Sequence, residues 1–144
     1  MIVLKTAHGF VLDASVTLAW CFDDEGTPAA WAILDRLQSA PAHVPPLWAL
    51  EIGNILLGAE RRRRITQARA TEFLGILGDL DIRTDPEAPG RAFRDVLPIA
   101  REQRLTTYDA AYLELAMRRG LPIATRDTAL IRAASALRIE TLDS

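Results

Sequence analysis

Short apolar runs of strand length alternate along this chain with longer stretches of helical length. Gly9 to Asp13, built on Phe10-Val11-Leu12, reads as a buried strand. Ser15 to Phe22 reads as a first helix, and Pro28 opens a second that runs to about Leu37. Ala42 to Pro45 is a very short strand, and Leu47 to Arg64 a long helix. Thr66 caps the next helix, which ends near Leu80, and Asp81 to Thr84 is strand-like. Gly90 to Gln103 predicts a helix interrupted or kinked near Pro98. Thr107 to Arg119 predicts a helix closed by Gly120. Pro122 to Thr125 follows as a buried strand, then Asp127 to Leu137 as a helix and Arg138 to Leu142 as a last strand.

No hairpin signal such as Asn-Gly interrupts this alternation. The pattern predicts an α/β fold, a parallel sheet with helices on both faces. The length, 144 residues, fits one domain over 1–144, and with about half the residues hydrophobic one core needs no covalent staple. A single cysteine, Cys21, excludes an internal disulfide, argues against a cysteine-based zinc site and reads as a small buried hydrophobe. The opening Met1 to His8 lacks the regions of a signal peptide, and no apolar run nears the ~20 residues of a membrane span. The expectation is a soluble, cytoplasmic protein without a membrane partner.

In such sheets, sites form beyond the carboxyl ends of the strands. Asp13 and Asp127 lie at or just past strand ends, and Asp109 opens a helix. Each has a structural explanation: Asp13 and Asp127 suit helix N-caps, and Thr106-x-x-Asp109 resembles a capping box. Glu51 has none. At helical spacing Leu47, Leu50, Glu51, Asn54 and Gly58 share one face; Trp48, Ile52 and Ile55 make the next, and Leu56 and Leu57 cover most of the rest. That leaves Glu51 little solvent face, and a buried unpaired carboxylate is costly. A cleft shared by all four acids without basic partners suits a hard cation, Mg²⁺ or Mn²⁺, and a phosphodiester substrate. Ser15, Asn54, Thr107 and Thr125 add short oxygen ligands or supporting partners.

Net charge is −2, so a nucleic acid must meet a local basic patch. Arg61, Arg62, Arg63 and Arg64 close the Glu51 helix, either as solvated arginines at its negative end or as phosphate contacts, and Arg126 is a further candidate. Nucleotide-binding glycine loops are absent, and His8 and His43 have no metal or triad context.

Val11-Leu12-Asp13-Ala14-Ser15, Leu50-Glu51-Ile52-Gly53-Asn54, Thr107-Tyr108-Asp109-Ala110-Ala111-Tyr112-Leu113 and Leu121-Pro122-Ile123-Ala124-Thr125-Arg126-Asp127 follow in that order. From about Phe10 to Leu142 the chain resembles PIN-domain nucleases, most closely the VapC-type toxins of bacterial toxin–antitoxin pairs. The resemblance implies a PIN-like three-layer α/β/α sandwich with a mostly parallel five-stranded sheet. It implies Mg²⁺- or Mn²⁺-dependent cleavage of RNA by metal-activated water, a homodimer, and a small cognate antitoxin whose tail blocks the cleft. By motif position Asp13, Glu51, Asp109 and Asp127 match the family's acidic quartet, and Ser15 and Thr107 its accessory hydroxyls. Thr128 and Ala129 stand where some members carry a further acid, which argues against a fully occupied second metal site.

Three other readings compete. One is a catalytically silent PIN-like module that binds RNA or protein. Another is a small-molecule phosphatase, disfavoured because Ser15 stands where a second acid would follow Asp13. The third is a dimerisation domain with capped helices, its apolar surface drawn from Trp20, Trp31 and Trp48 unless these pack in the core.

Overall fold

A computed structural model describes residues 9–142. The readings placed on Met1 to His8 lie outside them. The apolar runs become β1 (Phe10–Leu12), β2 (Ala42–Val44), β3 (Ile82–Thr84), β4 (Ile123–Ala124) and β5 (Thr141–Leu142). They form one sheet of order β3-β2-β1-β4-β5, with every neighbouring pair parallel. Val11 stands opposite both His43 and Ile123, so β1 is the central strand.

Alternation of side chains across β1 builds two cores. Phe10 and Leu12 pack on the face shared with Ile33, Ile52, Leu56 and Phe73, and Val11 packs with Tyr112, Leu113, Leu115 and Leu130. The helices on the first face are α1 (Ala14–Ala19), α2 (Pro28–Arg36), α3 (Leu47–Arg61) and α4 (Gln67–Gly78). Further along come α5 (Ala88–Arg91), α6 (Leu97–Gln103), α7 (Thr107–Arg119) and α8 (Thr128–Ala136). Leu12 and its neighbours on β1 are fully buried, and each such side chain contributes roughly 1.5–3 kcal/mol relative to exposure.

Several predicted borders shift, each for a local reason. The first helix starts at Ala14 because Asp13 caps it; it stops at Ala19, and a 3₁₀ turn over Asp23–Glu25 follows. α3 ends at Arg61 because Arg63 turns left-handed at φ 57°. The helix expected from Gly90 begins at Ala88, and its break is a π segment over Ala92–Val96, just before Pro98. Pro98 has no amide hydrogen for the carbonyl four residues back, and a wider turn accommodates the lost bond. Arg138, at φ 59°, cannot extend a strand, so β5 starts only at Thr141. Thr66 and Gly120 end their helices as expected.

Trp20 is buried with its indole nitrogen donating to the Ala30 carbonyl at 2.8 Å, and Trp48 donates to Thr17 Oγ1 at 3.2 Å. Both are core anchors; Trp31 alone of the three is exposed. Cys21 is a free, buried thiol. Among the described residues no helix is long and apolar enough to cross a membrane.

Candidate active site

Parallel strands aim their carboxyl ends at one edge, and the chain leaves β1 and β4 there through Asp13 and Thr125-Arg126-Asp127. Asp13 is 6% exposed although it carries a charge-bearing group. Its Oδ1 accepts from the Ala14 amide at 2.8 Å, which is the helix cap. Its Oδ2 accepts from Ser15 Oγ and from Thr125 Oγ1, each at 2.8 Å. Both hydroxyls also accept: Ser15 Oγ from the Arg126 amide at 2.9 Å, and Thr125 Oγ1 from the Asp127 amide at 3.1 Å. The two strand-end loops are thus sewn together through the carboxylate, which orients Asp13 within the edge.

Asp127 caps α8, its Oδ1 accepting from Ala129 and Leu130 amides at 2.8 and 3.2 Å. The expected capping box at α7 is half formed. Thr106 Oγ1 accepts from the Asp109 amide at 3.1 Å, but the Asp109 carboxylate makes no return bond among the described residues. It is close enough to Asp127 and Asp13 to feel their charges. Glu51 projects from the first turns of α3 and accepts from the Tyr112 hydroxyl of α7. Capping and site-building therefore coexist at Asp13 and Asp127; each uses one oxygen for the helix.

The acids are near enough to feel one another. Burial first, then the Asp127 charge, raises the Asp13 pKa against its three hydrogen bonds, which lower it. Burial raises that of Asp109, with Asp127 and Asp13 adding to it. Burial raises that of Glu51 as well; Tyr112 opposes the shift, and Asp13 and Asp109 reinforce it. Among the described residues none of the four forms a salt bridge. A set of partly desolvated carboxylates without a counter-cation is the electrostatic setting in which a bound cation is favoured. The donors are all oxygen, which suits Mg²⁺ or Mn²⁺. No three His, Cys, Asp or Glu side chains among the described residues already stand as a compact metal-binding group.

Thr107, Asn54 and the arginine side chains make no hydrogen bond to the four carboxylates among the described residues. Thr107 is exposed at the start of α7. Asn54 lines a groove of about 530 Å³ between α3 and α4, together with Leu50, Gly53, Leu57 and Leu74. The helix around Glu51 is more open than its apolar pattern implies: Leu50, Gly53, Asn54 and Leu57 are all exposed, and Glu51 itself is only partly buried, held by the Tyr112 hydroxyl. Arg61 and Arg62 are exposed. Arg64 is engaged, contacting Asp24 at 2.9 Å and Glu25 at 2.7 Å and stacking 4.0 Å from the Phe22 ring. Arg126 donates to the Glu25 carbonyl at 2.7 Å. These two arginines clamp the 3₁₀ turn. Thr125 and Tyr112 hold the site more directly than Thr107 or Asn54. The signal for Tyr112 is its place three residues after Asp109, on the same helical face.

A parallel α/β sandwich with acids gathered at the carboxyl edge of its central strands is a defined class of protein. Residues 10–136 match the PIN domain, and the chain belongs to that family. No curated protein matches it. Among solved structures, PAE2754 from Pyrobaculum aerophilum is 27% identical, covering 90% of this chain and 83% of its own at a TM-score of 0.63. VapC20 of Mycobacterium tuberculosis, a sarcin-ricin loop cleaving toxin, is 15% identical over 94% of this chain and 100% of its own, at 0.62. VapBC2 from Rickettsia felis, solved bound to a DNA fragment from their promoter, is 10% identical over 95% and 96%, at 0.63. At these identities the last two share the fold.

Proposed function

We propose that the protein is a divalent-metal-dependent endoribonuclease and the toxin of a toxin–antitoxin pair. The observation that carries this reading is the convergence of Asp13, Glu51, Asp109 and Asp127, from four separate elements, without a basic partner among the described residues. Membership of the PIN family and the likeness to toxin structures support the class.

Asp13, Asp109 and Asp127 would hold Mg²⁺ or Mn²⁺, with Glu51 beside them. The ion, when bound, supplies Lewis-acid stabilisation of phosphate charge and a lowered pKa for water. The protein's own contribution is placement. Ser15 and Thr125 hold Asp13 as an acceptor, and Asp127 is fixed by the α8 amides. Glu51, with one oxygen bound to Tyr112, orients the attacking water with the other. Arg61 and Arg62 stand at the far end of α3, ten and eleven residues or roughly 15 Å of helix from Glu51, and meet the RNA away from the scissile bond. The antitoxin's apolar segment covers the groove between α3 and α4, whose rim carries the exposed Leu50, Leu57 and Leu74. A second copy of the chain completes a homodimer.

The open spacing of the acids favours one other reading, a catalytically silent PIN-like module that binds RNA or protein. Incubating purified, antitoxin-free protein with total cellular RNA and Mn²⁺, Mg²⁺ or EDTA, beside Asp13→Asn, separates the two. Discrete fragments that require both the metal and Asp13 support the nuclease. Intact RNA with a folded, Mn²⁺-binding protein supports the silent module.

A further inference from the structure

Asp13 is held by three hydrogen bonds and Asp127 by two, but Glu51 is held by one. That bond comes from Tyr112, a side chain fully buried in the α7 core with Val11, Leu113, Leu115 and Ile123. We propose that Tyr112 is a positioning residue for Glu51, an assignment that rests on the nuclease reading.

The geometry is specific. Tyr112 lies one helical turn beyond Asp109 on α7, and Glu51 lies on α3, sixty-one residues away in sequence. The hydroxyl therefore ties the acid of one helix to the helix that presents another acid. The tyrosine ring is locked by packing on every side, so its hydroxyl is a fixed point. A glutamate has three side-chain torsions, and a single bond from a fixed donor removes most of their freedom. Oε1 is consumed by that bond, and Oε2 accepts no hydrogen bond among the described residues. Oε2 is the atom left for the cleft. The hydroxyl also has a need of its own: a buried phenol without an acceptor is costly, and among the described residues Glu51 is its acceptor. Each group thus holds the other, and Tyr112 acts on the reaction only through Glu51.

Tyr112→Phe keeps the ring and deletes the hydroxyl. The expected result is a kcat for RNA cleavage lower by roughly 10- to 100-fold, the usual effect of losing an orienting partner, with KM for RNA unchanged. A double-mutant cycle with Glu51→Gln provides a readout that a packing defect would not move. If Tyr112 works through Glu51, the double variant is no slower than Glu51→Gln alone. Multiplicative losses overturn the proposal, as does wild-type kcat in Tyr112→Phe. A crystal structure of Tyr112→Phe should show the Glu51 carboxylate displaced, and an unmoved carboxylate overturns it as well. A crystal structure of the wild type with Mn²⁺ in which Glu51 has left Tyr112 overturns it whichever variants fold. If the wild type cleaves no RNA with any metal, the nuclease reading falls and the two crystal structures decide the positioning role alone.

Discussion

Replacing Arg118 with methionine removes the hub of a buried ion cluster on the side of α7 away from the acids. Arg118 donates to Asp85, to Glu114 at 2.8 Å and to Glu87 at 2.9 Å. The side chains of Asp85 and Glu114 are 0% and 6% exposed, so methionine leaves two desolvated carboxylates behind. Breaking a buried pair by deleting one partner costs about 3–5 kcal/mol. Arg119 remains at 3.5 Å from Asp85 and Arg91 at 3.9 Å from Glu114, which places the loss at the lower end, about 3 kcal/mol. For a chain of this size that is a fall in Tm of about 9 °C. Urea unfolding at pH 7 measures it directly, as a lower midpoint at unchanged slope. The pH dependence identifies the cause. Burial alone would raise the Asp85 pKa, but Arg118's hydrogen bond, the Glu87 amide and the charges of Arg118 and Arg119 together hold it below its usual value. A depressed carboxylate stabilises the fold above its unfolded pKa of about 3.9 and loses that contribution as pH falls through the folded value. Without Arg118, burial wins and the Asp85 pKa rises, so the penalty is largest at neutral pH and shrinks on acidification. Asp85→Asn added to Arg118→Met should recover part of the loss. A penalty under ~1 kcal/mol, the range of an exposed ion pair, or one independent of pH refutes the argument.

The acidic edge should respond in the opposite sense. The raised pKa of Asp109, from burial and then the charges of Asp127 and Asp13, gives stability that is present below the unfolded pKa and lost as pH rises through the folded one. Asp109→Asn should therefore raise the Tm of the metal-free protein at pH 7, by less as pH falls, while cutting RNA cleavage by roughly 100-fold or more; a lower Tm contradicts this. Mn²⁺ should raise the wild-type Tm, by about 2.7 kcal/mol of stability at 100 times its Kd, and do so far less for Asp13→Asn. Equal shifts in differential scanning fluorimetry would place the ion elsewhere. Thr66→Ala removes the acceptor for the Arg69 amide at the start of α4 and should cost about 1 kcal/mol in urea unfolding. No change would mean that water replaces the cap.

What could be read from the chain alone was whatever is local. The alternation of apolar runs with helical segments located every described strand, and Thr66, Thr106 and Gly120 marked helix ends because caps act within three or four residues. The borders that moved, at Arg63 and Arg138, depend on left-handed backbone at arginine, which residue type does not announce. Asp13 and Asp127 stood out because they follow strands of a parallel sheet, a position implied by order along the chain, and Asp109 because it opens a helix behind a capping threonine. Glu51 stood out for a partly mistaken reason. Its helix is not closed to solvent; it shows Leu50, Asn54 and Leu57 to an open groove. What draws Glu51 inward is a tyrosine sixty-one residues away, and no pattern within one helix contains such a contact. The same limit applied to the arginines. Arg64 and Arg126 looked like free cations for phosphate, yet Arg64 pairs with Asp24 and Glu25 and Arg126 donates to the Glu25 carbonyl, in a 3₁₀ turn that no sequence pattern had marked. A buried tyrosine one turn beyond a site acid is nevertheless a legible sign: its hydroxyl must find an acceptor, and in an acidic cleft the nearest acceptors are the carboxylates themselves.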